Sequence, residues 1–427
     1  MHDSIRKMDD VSRRRFIAGA ASTFLGVSVM PWHRVLAAPA GGLAAAPKAQ
    51  HVIYLYLTGG MSHLDTLDPK PGAQEQGPTE AIATNVPGIQ LASHFKSLAK
   101  QADKIALIRS MTTKVGAHER GQYFMRTSYQ PLATIQHPAL GAWAMKLGAK
   151  SNATLPGNIL VNGPSQHPGA GFFDTRYAPL RIGNPTDGLQ NSTLPKGVTE
   201  DRFNHRLDLS RQLDRTFEMR YPHKQVKAYT DFYQDAVRLM KSEDLAAFDL
   251  EKESQATRAA YGDDRFAQGC LLARRLVEHG VKFIEVQHGG WDTHTDNFDR
   301  IEDLAGTLDQ ALGALLSDLS SKGLLDKTMV VVASEFGRTP KINANQGRDH
   351  HPKVFTTLLA GGGIRGGQVY GSSDKTGFAV ADNPVEIPDF NATIAWAMGL
   401  PLDQIATSPS GRPFTVAHKG QPLTMLF

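Results

Sequence analysis

Cysteine is almost missing from this chain: Cys270 is the only one among 427 residues. A disulfide within the chain is therefore impossible, and iron–sulfur or zinc centres built on several thiolates are excluded. Any metal must be held by histidine and carboxylate. Charge of one sign is lacking too. Forty-six Lys and Arg against 42 Asp and Glu leave a net charge of +4, and five of the first fifteen residues are Lys or Arg. The basic excess thus sits largely at the amino end, and the remainder carries no footprint for nucleic acid. The mildly apolar stretch at 17–30 falls short of the roughly 20 residues that span a bilayer, so no transmembrane domain is expected in the mature chain. Internal repeats and coiled-coil heptads are absent. No Gly-x-Gly-x-x-Gly follows the first expected strand, which, with the lone cysteine, disfavours a redox protein carrying a large cofactor.

What is present begins with a leader. Ser12-Arg13-Arg14-Arg15-Phe16-Ile17 follows the twin-arginine pattern, and it precedes a Gly- and Ala-rich apolar stretch with small residues at Ala37, Ala38 and Ala40 suited to cleavage. Residues 1–40 are therefore expected to be a signal peptide and cleavage region read by the twin-arginine translocation machinery. The mature protein is then periplasmic or otherwise extracytoplasmic, and an uncut leader would serve as an anchor. Export in a folded state favours a metal or cofactor acquired before crossing.

Residues 41–427 read as one α/β domain. His51-Val52-Ile53-Tyr54-Leu55-Tyr56-Leu57 is apolar on both faces, as a strand in the middle of a parallel sheet must be. Further strands are expected at 105–108, 281–286, 329–333 and 354–360. Helices are expected at 95–102, from His118-Glu119-Arg120 through Phe124-Met125, across 225–280 with apolar Phe232, Ala236 and Met240, and at 299–320. The helix at 265–279 should stop at Gly280 with a left-handed cap. This alternation predicts a mainly parallel sheet covered on both faces. The Gly/Pro/Asn-rich stretch at 155–201 reads as an irregular surface insertion. Gly361-Gly362-Gly363 lacks the Lys-Ser/Thr of a phosphate loop and reads as a turn.

In parallel sheets ligands bind beyond the carboxyl ends of the strands, and polar residues gather at those places here. Ser62, His63, Asp65 and Asp68 follow the first strand, His288, Asp292 and His294 follow a later one, and Glu335 follows the strand ending at Ala333. The pair His350/His351 lies just before a strand and reaches the same rim if its loop folds back. Asp65, Asp292, His294, Glu335, Asp349, His350 and His351 form a nitrogen and oxygen donor set suited to zinc, manganese, magnesium or calcium. Arg109 ends a strand and His118 opens a helix, where an anionic substrate group could dock, or where the two could serve ordinary pairing and capping roles.

Leu57-Thr58-Gly59-Gly60-Met61-Ser62-His63-Leu64-Asp65-Thr66-Leu67-Asp68-Pro69, Arg109-Ser110-Met111 with His118, Gly289-Gly290-Trp291-Asp292-Thr293-His294, Ser334-Glu335-Phe336-Gly337-Arg338-Thr339-Pro340 and Arg348-Asp349-His350-His351 together resemble the DUF1501 family, within the alkaline phosphatase/sulfatase superfamily. The resemblance covers nearly the whole mature chain. It implies a three-layer α/β/α fold like that of alkaline phosphatase and a metal-dependent ester-cleaving site. It also exposes departures from the superfamily pattern. Ser334-Glu335-Phe336-Gly337 stands where those enzymes carry Ser-Asp-His-Gly, and Phe336 cannot ligate. Thr58-Gly59-Gly60 stands where the first strand should end in a metal-binding Asp. No hydroxyl or thiol occupies the nucleophile position near Ala117-His118; the nearest are Thr112 and Thr113.

Two functions follow. In the first, the chain is a metal-dependent hydrolase of a phosphate or sulfate ester: the donor set above binds the ion, Ser62, His63 and His118 take part in catalysis with Ser62 or water as nucleophile, and Arg109 and Arg338 hold the substrate. In the second, the fold has lost hydrolysis and binds a polysaccharide or a partner protein through the same face.

Overall fold

The computed structural model describes residues 46–148, 152–164, 166–190, 192, 194, 196–220 and 237–427. The twin-arginine leader lies outside the described residues, as do Phe232 and Ala236 of the expected long helix. In chain order the main strands are β1 (His51–Leu57), β2 (Ile105–Thr112), β3 (Asn158–Val161), β4 (Leu180–Ile182), β5 (Phe283–His288), β6 (Thr328–Ala333), β7 (Gly337–Ile342), β8 (Arg348–His351), β9 (Phe355–Ala360), β10 (Gln368–Tyr370) and β11 (Val385–Glu386). The main helices are α1 (His118–Thr127), α2 (Leu140–Leu147), α3 (Glu200–Arg220), α4 (Arg265–Glu278), α5 (Asn297–Ser321) and α6 (Ile387–Ala397).

All seven residues of β1 are buried, and the pleat explains how. Successive side chains point to opposite faces, so Ile53, Leu55 and Leu57 enter one core while Val52, Tyr54 and Tyr56 enter the other. Apolar residues of α4 and α5 fill the first core, and those of α2 and α6 fill the second. Each fully buried Val, Leu, Ile or Phe contributes about 1.5–3 kcal/mol. A strand that is apolar on both sides is stable only between two such layers, which gives the α/β/α sandwich.

The nine-stranded sheet runs β10-β2-β9-β6-β1-β5-β3-β4, with β11 pairing beside β2. Its pairings are parallel except at β9, which is antiparallel to both neighbours. That reversal matters for the site. The first residue of β9, Phe355, lies opposite Met111 near the end of β2, so the segment preceding β9 already stands at the carboxyl rim of the parallel strands. His350 reaches that rim without any fold-back.

Several expectations need correction. The 155–201 stretch is not simply an irregular insertion: it contributes β3 and β4, which extend one edge of the sheet through parallel pairing to β5. Strands this short carry too little alternating pattern to stand out from Gly and Pro neighbours. Ser334 to Pro340 is not wholly a loop, because Gly337 onward forms β7, which pairs antiparallel with β8 as a separate two-stranded ribbon. The expected strand at 105–108 continues to Thr112, and that at 281–286 is shifted to Phe283–His288. Helix α4 ends at Glu278 with His279 as its C-cap, and Gly280 beyond it takes φ +80, the left-handed position expected. Among the described residues no helix is long and apolar enough to cross a membrane.

Candidate metal centre

The loops after β1, β5 and β6 meet at one point of the rim, and a glycine lets them do so. Gly59 has φ +121, and a Cβ there would lie 2.3 Å from the backbone nitrogen of Asp292. Only glycine accepts both the dihedral and the approach. The loop carrying Asp292 is further fixed by Arg300, which donates to the carbonyls of Asp292 and Gly290 at 2.9 and 2.7 Å.

On that loop the Asp292 carboxylate is the meeting point. Its Oδ1 lies 3.3 Å from Nε2 of His118, 3.2 Å from Nε2 of His294 and 3.4 Å from Nε2 of His350. His118, Asp292 and His350 offer one ligand atom each, all within 4.8 Å of one another. His294 adds a fourth, its Nε2 being 3.0 Å from Nε2 of His350. His118 comes from the start of α1, His294 from the loop after β5, and His350 from β8, where a register shift between Arg348 and His350 turns both Asp349 and His350 toward this centre.

Behind each imidazole stands an oxygen acceptor. Nδ1 of His118 donates to Glu335 at 2.7 Å, Nδ1 of His294 to Asp349 at 2.9 Å, and Nδ1 of His350 to the Gly116 carbonyl at 2.8 Å. With the proton on Nδ1, every Nε2 presents a lone pair inward. Nε2 of His118 is buried and has no hydrogen-bond partner. In their neutral form the rings turn Nε2 lone pairs toward one another and toward a carboxylate, an acceptor-rich arrangement that a proton or a metal cation satisfies. The residues fit a divalent ion, and the donor type suits zinc and its neighbours.

The titration behaviour agrees with a cation-seeking centre. Burial works against a charge on His118, but the hydrogen bond and charge of Glu335 and the charge of Asp292 outweigh it and raise its pKa. Burial alone would lift the Asp292 carboxyl; Arg338 more than offsets this and holds it at about 2. Burial lowers His350, opposed by its bond to the Gly116 carbonyl.

Not every residue expected at the site joins it. Glu335 is fully buried and is not placed to ligate: besides His118 it accepts from the Gly59 amide at 2.9 Å and the Tyr56 hydroxyl at 3.1 Å. It orients His118 instead. Asp349 likewise stands behind His294. Asp65, fully buried, is spent on Arg348 at 2.7 and 3.1 Å, and also accepts from Thr79 and Asn297. Ser62 donates to that same Asp65 at 2.5 Å, which withdraws it as a nucleophile. His63 is buried with Nε2 on the Gly377 carbonyl, and His351 has Nε2 on the Phe378 carbonyl; both tie the 374–379 loop to the rim and neither reaches Asp292. Arg109 pairs with Asp68 and donates to the carbonyls of Leu67 and Gln90, so its Nε and Nη2 are spent within the fold. Arg338 is fully buried, donating to the carbonyls of Gly59, Gly60 and Arg348 and to Asp292. It backs the carboxylate and has no open face for an ester. His118, expected to act on substrate, sits in the donor cluster itself.

Sequence reading also missed a supporting chain. The Arg126 guanidinium lies 3.9 Å over the Tyr56 ring, and Arg126 pairs with Glu285, whose other oxygen meets His167 at 3.1 Å. Buried charged residues inside otherwise apolar strands were the available signal. Phe336, unable to ligate, packs its ring 4.9 and 4.8 Å from His118 and His350 and so helps fix both rings.

A mainly parallel three-layer α/β protein with a histidine–carboxylate centre at its carboxyl rim is the class these observations define. Residues 49–427 match the family described as "Protein of unknown function (DUF1501)", and the chain belongs to it. No curated protein sequence matches the chain. Among solved structures it is similar to an alkaline phosphatase superfamily protein from Vibrio parahaemolyticus, with 11% identity over 90% of this chain and 71% of that one and a TM-score of 0.39. It is also similar to the lipoteichoic acid synthase LtaP from Listeria monocytogenes, with 10% identity over 90% and 78% and a TM-score of 0.41. A third is the phosphonate monoester hydrolase SpPMH from Silicibacter pomeroyi, with 14% identity over 88% and 76% and a TM-score of 0.37. Overlaps of this size assign no role to any residue here.

Proposed function

We propose that this chain is an exported metal-dependent hydrolase of a phosphate or sulfate ester, working at the centre formed by His118, Asp292, His294 and His350. The observation that carries the reading is the convergence of imidazole Nε2 atoms on Asp292 Oδ1, with each imidazole held by an acceptor on its Nδ1. The leader motif around Arg13 and Arg14 supports export, and the resemblance to phosphatases and sulfatases supports the ester class.

A divalent ion at this centre would polarise water and an ester oxygen and offset the charge that develops on the transferring group. The chain's own contribution is positional. Glu335, Asp349 and the Gly116 carbonyl set the three rings, and Arg338 keeps Asp292 ionised. With Ser62 committed to Asp65, water is the attacking group: its oxygen bonds to phosphorus or sulfur, the bond to the ester oxygen breaks, and the departing alcohol takes a proton. Asp349, whose side chain is 59% exposed, is the carboxylate open to solvent at the edge of the centre.

Reconstitution of the purified protein with zinc, manganese, magnesium or calcium, followed by a panel of phosphate and sulfate esters, tests this. Turnover that vanishes in His350→Ala supports it, and no turnover with any ion ends it. Among the described residues no hydroxyl or thiol hydrogen-bonds to Asp292, which favours the second reading, a binding protein for polysaccharide or a protein partner, should hydrolysis fail.

A further inference from the structure

We propose that this centre takes a single, nitrogen-preferring divalent ion of the zinc class, with Arg338 as the fixed cation that completes its charge balance. The proposal rests on the metal centre of the preceding reading and specifies its stoichiometry and selectivity.

Selectivity follows from the donors. Three of the four converging atoms are imidazole nitrogens and only one is a carboxylate oxygen. Calcium and magnesium are hard ions that require six or more oxygen ligands, or several retained waters beside carboxylates. Zinc is satisfied by four ligands of mixed nitrogen and oxygen type. Of the other carboxylates at the rim, Asp65 is closed by Arg348 and Glu335 by His118, Gly59 and Tyr56, while Asp349 stands behind His294 with its Oδ1 taken by His294 and Asn343.

Stoichiometry follows from charge. Asp292, Glu335 and Asp349 stand around the histidines, and Arg338 together with one divalent ion neutralises them. A second divalent ion would leave the centre with an uncompensated charge of about +2. Arg338 also cannot swing away at low cost. It is fully buried, and its guanidinium is engaged by three backbone carbonyls besides Asp292. Withdrawing it would strand a buried charge.

Tautomer choice is the third part of the inference. Glu335, Asp349 and the Gly116 carbonyl place the proton on Nδ1 before any ion arrives, so the rings are set in advance for coordination through Nε2. Glu335 is a positioning residue on this account, since it touches His118 and not the ion.

The test uses the full chain, stripped with a chelator, reloaded with zinc and freed of excess ion. Elemental analysis is expected to find one zinc per chain, retained against a large excess of magnesium or calcium. Two ions per chain, or displacement of zinc by magnesium, would overturn the proposal. In the stripped protein at alkaline pH, nitrogen-15 correlation spectra should show the Nδ1–H tautomer for His118, His294 and His350; the Nε2–H tautomer at these rings would overturn the orienting role. Glu335→Ala should weaken zinc binding by about 10–100-fold, as loss of an orienting partner typically does, with Glu335→Gln, which keeps an oxygen acceptor, recovering part of it, and unchanged affinity in a folded Ala variant would count against it. Zinc retained at one per chain without ester turnover would remove the hydrolase reading and leave this one standing. Turnover supported by magnesium with no zinc retained would do the reverse.

Discussion

Two carboxylates at the same rim, Asp65 and Asp292, have opposite fates. Asp65 is fully buried and saturated with donors: Arg348, Ser62, Thr79 and Asn297 occupy its two oxygens. Asp292 is half-open, its side chain 46% exposed, and apart from Arg338 its neighbours are the Nε2 atoms of three imidazoles whose Nδ1 atoms are held by oxygen acceptors. The first is a closed knot that positions the loop after β1. The second has acceptors in surplus. Residue type does not separate a structural cluster from a binding centre, whereas the balance of donors and acceptors does.

That contrast can be broken most severely at the knot. Asp65→Asn leaves Arg348 as an unpaired buried cation, a loss of about 3–5 kcal/mol; chemical denaturation should show it whether or not metal is present. Second in size is the metal centre. His350→Ala should lower zinc affinity by at least two orders of magnitude in calorimetric titration while leaving the melting temperature of the metal-free protein nearly unchanged, because His350 is no buried cation's counterion; Asp292→Asn would mix both effects, since Asp292 also pairs with the buried Arg338. Destabilisation of the metal-free form comparable to that of Asp65→Asn would erase the distinction. Third, zinc at about 100 times its dissociation constant should stabilise the wild type by about 2.7 kcal/mol, an increment absent in His350→Ala and reversed by chelator.

Acid offers a finer separation. Metal ligands must be deprotonated to bind, and His118 has its pKa raised, so zinc should be released as pH falls through the histidine range. The fold should outlast this release. Burial alone would raise Glu285, but Arg126 and His167 outweigh it and hold its carboxyl at about 2. Because that value lies below the unfolded one, the stability it contributes is fully present above about pH 4.5 and declines as pH drops toward 2. Metal release and unfolding, followed together by a zinc indicator and circular dichroism, should therefore occur in that order. Coincident loss would show that the two regions are one cooperative unit. The smallest effect belongs to Asp349→Asn, which keeps an oxygen acceptor for His294 and should cost zinc affinity less than tenfold.

Legibility in the sequence divided along physical lines. The apolar run of β1, the Gly280 cap and the long apolar period of α5 carry local patterns strong enough to read directly, and their bounds differ from expectation by at most two residues. Strands β3 and β4, four and three residues long, are too brief to show a period and owe their pairing to β5 alongside. At the site, Asp292, His294, His350 and His118 were all visible as polar residues next to strand or helix ends. Which of their neighbours would be consumed by Arg348, by Tyr56 or by a backbone carbonyl was not visible, because those partners lie up to 283 positions away.

The sequence by itself determined that the chain is a cysteine-poor α/β protein, that its central strand is buried on both faces, and that histidines and acids cluster beyond the strand ends. Tertiary structure alone decided that β9 runs backwards and so delivers His350 to the rim, that Asp65 and Glu335 are satisfied from within, and that Asp292 is left facing three imidazole nitrogens. The physical reason is that propensity and periodicity act over neighbouring residues, whereas a lone pair is satisfied or left open by whatever the folded chain brings within about 3 Å of it.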